Sequence, residues 1–443
     1  MNTITKPEGT PAKTTAVKAT ETAKKVRGLV KQMYLGAQEA KAKGIPIAYC
    51  MVASQYDEIV RASGVGTVWT ENYAGLCAAK RDAERFILKA EGDGYSNVLC
   101  GYARVGIGFE GLRRQFGGMP PNAPDSGMAA PDMLLGSSSV CDPRFKWYQA
   151  MGHYADIPIH NIDVVCPPID ARLSEVRDYY VKYQRGQFQN LVNFLEQQTK
   201  KKFDMDRLWE VIRISDETRR WWWDAYQLRK AVPCPMPSED HFNTFVPAYF
   251  MMGTPEALNF YKELYQELKT RVENKIGVIP DEKYRIIWAG GLPPWHTMWT
   301  FNYFESQGAV FVIDTSYRPF DPVEVPSSIK DPLDYLAWRT ILRAIYRYEK
   351  AYKHSGNADV ELLLEMVEGY KGDGLVMHAS RSCRATTIGQ LYLKDMVQKY
   401  VAVPCLQLIS DLIDVRDYSE AQWKMQIDAF VETVAASKRG RKG

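Results

Sequence analysis

Cys383 closes the segment His378-Ala379-Ser380-Arg381-Ser382-Cys383, directly after the apolar run Gly374-Leu375-Val376-Met377. That run has the length and continuity of a buried parallel strand, and residues 384–399 carry a helical pattern. A cysteine between a strand's carboxyl end and a helix N-terminus stands where α/β proteins place ligands and where a thiolate is favoured. Two other cysteines share the setting: Cys100 follows Ser96-Asn97-Val98-Leu99, and Cys141 lies just beyond Met133-Leu134-Leu135-Gly136. Three such thiolates can hold an iron–sulfur cluster that leaves one iron without a protein ligand. Spacing does not require it. Cys100 and Cys141 are 41 residues apart and Cys141 and Cys383 are 242 apart, so no local CxxC signature exists. On spacing alone, buried core thiols are the better reading.

Polar and basic residues crowd the same turns. Arg104, Arg381 and Arg384 stand near the cysteines and can balance negative charge, although ordinary ion pairing accounts for any one of them. Ser137-Ser138-Ser139 precedes Cys141, either as a plain polar turn or as hydrogen-bond donors to what the thiolates hold. The stretch from Gly101 to Gly108 is glycine-rich, but it follows a cysteine and lacks dinucleotide-binding spacing. No GxxxxGK[ST] sequence occurs, so any ATP hydrolysis must lie on a partner. Cys50, Cys77, Cys166, Cys234 and Cys405 read as core or strand thiols.

The elements that must position these residues alternate. Residues 1–20, rich in Thr, Lys, Ala and Pro, are expected to be disordered. Val26, Leu29, Val30, Met33 and Tyr34 then recur at helical spacing over 21–43. Strands are expected at 45–50, 65–69, 131–137 and 157–165, with a further strand ending at Cys100. Helices at 55–63, 75–91 and 144–154, and one running from Cys100 through Arg113, separate them. Such alternation argues a parallel, doubly wound sheet over 21–169. From 170 to 280 the chain turns mostly helical, broken by Pro233-Cys234-Pro235-Met236-Pro237. Alternation resumes over 281–436, with strands at 284–288, 309–314, 374–378 and 401–408 and helices at 332–352, 360–371 and 420–436. A basic tail, 437–443, ends the chain. The expected fold class is α/β: two Rossmann-like parallel-sheet lobes linked by a helical segment, with the three-cysteine site between the lobes.

Bulk composition narrows the functional classes. A chain of 443 residues exceeds one ordinary core, so two or three domains are expected. With 56 basic against 53 acidic residues, nothing attracts nucleic acid as a whole. No apolar run reaches the roughly 18 residues that span a bilayer, and no signal-peptide h-region opens the chain. A cytoplasmic location follows as the expectation, and in that compartment the 8 cysteines do not form a disulfide framework. The 11 Trp and 26 Tyr point to a large core, an aromatic-lined cavity or a subunit interface.

Leu99-Cys100-Gly101-Tyr102-Ala103-Arg104 resembles the first cluster motif of the 2-hydroxyacyl-CoA dehydratase and benzoyl-CoA reductase family. Cys141-Asp142-Pro143-Arg144-Phe145-Lys146-Trp147-Tyr148 is similar to the second, and the segment ending at Cys383 looks like the third. The three occur in the family's order and tie residues 45–430 to it. The resemblance implies a 4Fe–4S cluster on Cys100, Cys141 and Cys383, its fourth iron open to substrate or a small ligand. It also implies a related cluster-bearing sister subunit and a dimeric ATPase activator with a bridging 4Fe–4S cluster, fed by ferredoxin or flavodoxin.

Within the family, dehydratases recycle one electron to remove water from a 2-hydroxyacyl-CoA, whereas benzoyl-CoA reductases deliver two electrons per ring with ATP hydrolysis on every turnover. A common dehydratase pattern carries Asn and another Cys after the second ligand, and this chain has Asp142-Pro143 there. Trp295-His296-Thr297-Met298-Trp299-Thr300-Phe301 would suit a flat acyl group. The expectation is therefore the larger catalytic subunit of an ATP-dependent benzoyl-CoA reductase acting on an aromatic acyl-CoA and yielding a cyclic diene. A dehydratase subunit is the alternative, and a cluster-free scaffold or activator-docking subunit is the third reading. Ring reduction needs a proton donor, for which His296 and His241 are the candidates. Arg104, Arg381, Ser139 and Ser382 are expected around the cluster, and His378 behind the Cys383 loop.

Overall fold

Runs such as Ala309–Asp314 and Met133–Ser137 are apolar without alternation because both of their faces are covered, and both strands are buried along their whole length. The computed structural model describes residues 15–165, 173–351 and 355–441. These residues form two four-stranded parallel sheets. The first contains β1 (Ile47–Cys50), β2 (Gly66–Trp69), β3 (Met133–Ser137) and β4 (Ile159–Ile162) in the order β2-β1-β3-β4. The second contains β5 (Tyr284–Trp288), β6 (Ala309–Asp314), β7 (Gly374–Ser380) and β8 (Cys405–Ser410) in the order β6-β5-β7-β8. The two lobes thus share one topology. In each, the chain reverses direction across the sheet between its first and third strands, which opens a crevice at their carboxyl ends.

Between the lobes run the long helices Leu173–Thr199, Met205–Gln227 and Pro255–Glu273. Asp204 caps the second through the Arg207 N–H, and Thr254 caps the third through the Ala257 N–H with Pro255 at its first turn. An ionic knot ties this segment to both lobes. Glu58 of the first lobe meets Arg219 of the helical segment at 2.8 Å and Arg339 of the second lobe at 2.6 Å, and Arg339 also holds Asp216 at 2.8 Å. Burial alone would raise the Glu58 carboxyl, but the two guanidiniums outweigh it and hold it below the usual carboxylate range.

Several expected elements change at their edges. The strand expected to end at Cys100 is absent: residues 96–99 form a turn, with Val98 74% exposed and the Leu99 N–H bonded to the Ser96 carbonyl. Four residues after the Asp93-Gly94 helix stop have neither a ladder partner nor a covered face. The helix expected over 75–91 is two, Thr70–Ala79 and Ala83–Gly92, broken where Arg81 takes a φ of 60°. The last strand begins at Cys405 rather than 401, after Pro404, whose carbonyl accepts the Leu375 N–H. Of the expected disordered stretch and basic tail, residues 1–14 and 442–443 lie outside the described residues. Val17 pairs with the Gly277 carbonyl and Thr20 with Asp240, and Lys438 and Arg441 pair with Asp373. The lobe boundary expected at 169/170, and Cys166 with it, also lies outside the described residues. No helix among them is long and apolar enough to cross a membrane.

Candidate functional site

All three cysteines occupy the same local position, the residue immediately before a helix. Cys100 precedes Gly101–Phe116, Cys141 precedes Asp142–Ala155, and Cys383 precedes the short turn Arg384–Thr387. Helix starts leave N–H groups unpaired and carry partial positive charge. The N–H groups of Ala103, Arg144 and Thr386, each three residues on, favour the ionised sulfur, and the Thr386 hydroxyl donates to Cys383 Sγ at 3.2 Å. Burial is the larger effect on each thiol. It raises all three thiols, Cys141 to about 12, and leaves them protonated at neutral pH.

The loops converge across the lobe boundary. The Gly101 N–H donates to Ser382 Oγ at 3.1 Å, and Asp142 meets Arg384 at 2.8 Å, so each first-lobe cysteine helix touches the Cys383 loop. Close approach depends on glycine: a Cβ on Gly101 would lie 2.8 Å from Ile413 Cβ and from Asp411 Oδ1. Each thiol feels the others, since Cys383 and Cys141 both disfavour ionisation of Cys100, and Cys383 that of Cys141. Among the described residues no three His, Cys, Asp or Glu side chains stand as a single-ion site. A four-iron cube makes a different demand, because it binds each thiolate through its own iron. Three soft sulfur donors within electrostatic reach of one another, each beside a helix start, fit that donor set.

Two buried carboxyls stand at this site: Asp411, which accepts from Ser382, and Glu71, which sequence reasoning passed over. Glu71 sits in the first turn of Thr70–Ala79, directly beyond β2, and is 9% exposed. Its side chain accepts the Val52 N–H at 2.6 Å and lies 3.2 Å from Arg144 Nε. Burial raises its pKa, against the pull of Arg144 and the Val52 N–H, and its charge acts on both Cys141 and Cys383. Arg144 itself is buried and knits the site together by donating to the carbonyls of Ser139 and Val52. The strand-end rule that singles out the cysteines would have found Glu71 too, since it follows the strand ending at Trp69.

The other expected residues distribute differently. Ser382 donates to Asp411 as well as accepting from Gly101, and Ser139 donates to the Ala53 carbonyl at 3.0 Å, so both brace cysteine loops. Arg104 is committed elsewhere: it is 1% exposed and bonded to Glu91 at 2.8 Å and Asp414 at 2.9 Å. Arg381 is exposed and pairs with Asp417. His296 lies behind the site, its Nε2–H on the Asp411 carbonyl at 2.8 Å. His241 is wholly engaged, donating to Asp314 of the second lobe and accepting from Arg229 of the helical segment, which leaves no ring nitrogen for a substrate. His378 stands under the Cys383 loop as expected, between the Leu292 carbonyl and Ser410 Oγ. The aromatic segment is divided: Trp295 donates to Tyr102 Oη at 2.6 Å, Phe301 packs in the core on Phe242 and Trp288, and Trp299 bonds Tyr418.

The family model described as 2-hydroxyglutaryl-CoA dehydratase, D-component, matches residues 55–434. The chain is 30% identical over 407 residues to the (R)-phenyllactyl-CoA dehydratase alpha subunit of Clostridium sporogenes, covering 91% of this chain and 93% of the relative. It is 27% identical over 422 residues to the (R)-2-hydroxyisocaproyl-CoA dehydratase alpha subunit of Clostridioides difficile, covering 94% and 97%. To a subunit of the benzoyl-CoA reductase of Thauera aromatica it is 26% identical over 412 residues, covering 90% and 91%.

Proposed function

The chain belongs to the 2-hydroxyglutaryl-CoA dehydratase, D-component, family, and from that premise we propose that it is a catalytic subunit of an enzyme removing water from a 2-hydroxyacyl-CoA. The observation that carries the reading is the pairing of three convergent cysteine N-caps with the buried carboxyl of Glu71, which Arg144 and the Val52 N–H hold. Both dehydratase alpha subunits quoted above support it. In this reading Cys100, Cys141 and Cys383 hold a 4Fe–4S cluster. When bound, such a cluster supplies single-electron transfer and one iron position free of protein ligands.

The chain's own residues handle the proton. Glu71, whose neutral form burial favours, gives a proton to the departing α-hydroxyl, which leaves as water. The carboxylate so formed is stabilised by Arg144 and the Val52 N–H. It then takes a proton from the β-carbon, so that an enoyl-CoA forms and the carboxyl returns to its starting state. The partners of this reading are a related cluster-bearing sister subunit and a dimeric ATPase activator with a bridging 4Fe–4S cluster, with ferredoxin or flavodoxin as electron donor. That the relatives are themselves named as subunits supports a multi-subunit assembly.

A second reading, ring reduction of an aromatic acyl-CoA by a benzoyl-CoA reductase, is favoured by the likeness to the Thauera aromatica protein and by Asp142-Pro143 after the second cysteine. The aromatic segment no longer favours it, because its rings are spent on packing and on Tyr102 and Tyr418. Assay of the anaerobically purified complex with activator, ATP and reductant separates the two. Sustained loss of water after one priming reduction supports the dehydratase. A cyclic diene formed with stoichiometric ATP use would sink it. Iron content halved or lower in Cys383→Ala tests the cluster assignment independently of either substrate.

A further inference from the structure

A cavity of about 160 Å³ opens between Ser139, two residues before Cys141, and the helix Pro332–Ala351. Its far wall is basic, with Arg318, Arg343, Arg347 and Lys350. Three of these cations are matched. Lys350 meets Glu365 at 2.9 Å and Asp321 at 3.4 Å, Arg318 lies 3.9 Å from Asp321, and Arg347 pairs with Asp359. Arg343 is not matched. It makes no hydrogen bond or ion pair with any described residue, and its Nε is buried without a partner. Its guanidinium stands 5.7 Å from the Phe320 ring centroid. The carboxylates that act on it, Asp216 and Glu58, are already engaged by Arg219 and Arg339. Burial, followed by repulsion from those two guanidiniums, lowers the Arg343 pKa well below the usual arginine value.

A half-buried guanidinium with no described carboxylate paired to it lines the cavity. It makes physical sense when a ligand brings the missing charge, and its planar fork suits a phosphate or a carboxylate. We propose that this cavity is an anion subsite in which Arg343 binds a negatively charged group of the substrate. The identity of the ligand rests on the acyl-CoA reading, whereas the anion site itself does not. Two sources offer the same chemistry: the phosphates of CoA, or a second carboxylate on the acyl chain.

The test titrates the full-length protein, purified anaerobically, with inorganic pyrophosphate, CoA, pantetheine and glutarate, following binding heat and thermal midpoint. Wild type, Arg343→Gln and Arg343→Lys are compared. At least one anionic probe is expected to bind wild type and to lose about tenfold or more in affinity in Arg343→Gln, with Arg343→Lys between them. Loss for CoA but not pantetheine supports the subsite and assigns it to the phosphates. Loss for glutarate with CoA binding intact supports it and assigns the acyl carboxylate. Pyrophosphate binding that depends on Arg343, in a protein that binds no CoA, supports the subsite while sinking the acyl-CoA reading. Equal affinities in wild type and Arg343→Gln, or binding of no anion by either, overturns the proposal.

Discussion

Burial acts in the same sense on the two kinds of acid at the candidate site, favouring the neutral form of each. Against it, the helix-start N–H groups favour the thiolates, and Arg144 and the Val52 N–H favour the Glu71 carboxylate. Glu71→Gln preserves the shape and the Val52 contact but cannot transfer a proton. It should cost about 100-fold or more in kcat while leaving iron content and the cluster's electronic spectrum unchanged. The sign of the pH dependence follows from the raised pKa. Wild-type kcat should fall as pH rises through it, and the residual activity of Glu71→Gln should lack that limb. Cys383→Ser replaces a soft ligand by a hard one and should lower bound iron without lowering the melting midpoint by more than a few degrees, because Cys383 lies on a loop rather than in the core.

At the scale of elements, one glycine-rich helix sets the distance between two cysteines. Gly106 of the helix Gly101–Phe116 lies against the Trp147 ring of the helix that Cys141 opens, and a Cβ there would fall 2.1 Å from Trp147 Cζ2. The glycines that lack a nucleotide-binding spacing therefore serve packing. Gly106→Ala should destabilise by about 1–3 kcal/mol in urea unfolding, since a buried indole must move. It should also lower bound iron per chain, because Cys141 shifts relative to Cys100. Loss of stability with full iron retention would show that the spacing tolerates the shift.

The whole molecule holds its site by tying two similar lobes together. Beside the Cys100 helix, Arg104 and Arg416 alternate with Glu91 and Asp414 across the lobe boundary, all four in contact. Burial would raise Asp414, but Arg416 and Arg104 outweigh it and bring the carboxyl down to about 2. A depressed carboxyl stabilises the fold above its unfolded pKa, so this contribution is complete above about pH 4 and is lost as pH falls toward 2. Asp414→Asn should cost on the order of 1 kcal/mol at pH 7, since water screens the exposed Arg416 side of the cluster, with the difference from wild type shrinking over that window. Equilibrium unfolding in urea at pH 7 and pH 3 measures it. A pH-independent difference would assign Asp414 a purely steric role.

Much of the fold was legible along the chain, because a strand covered on both faces is a continuous apolar run wherever it occurs. Ala309–Asp314 and Tyr284–Trp288 fall where those runs predict, and the cysteine turns follow from the strands before them. The error at 96–99 has the same root: a short apolar pair looks like a strand until its neighbours are known, and here none covers it. Charged partners were not legible. Arg104 reads as a neighbour of Cys100, yet its partner Asp414 lies 310 residues away, and His241 is taken up by Asp314 from another element. Local sequence determined which residues stand at helix starts, since capping and periodicity are short-range. Only the tertiary structure decided which of them meet, which carboxyls are buried beside the thiols, and that Arg343 pairs with no described carboxylate, because those depend on charge and burial contributed by distant parts of the chain.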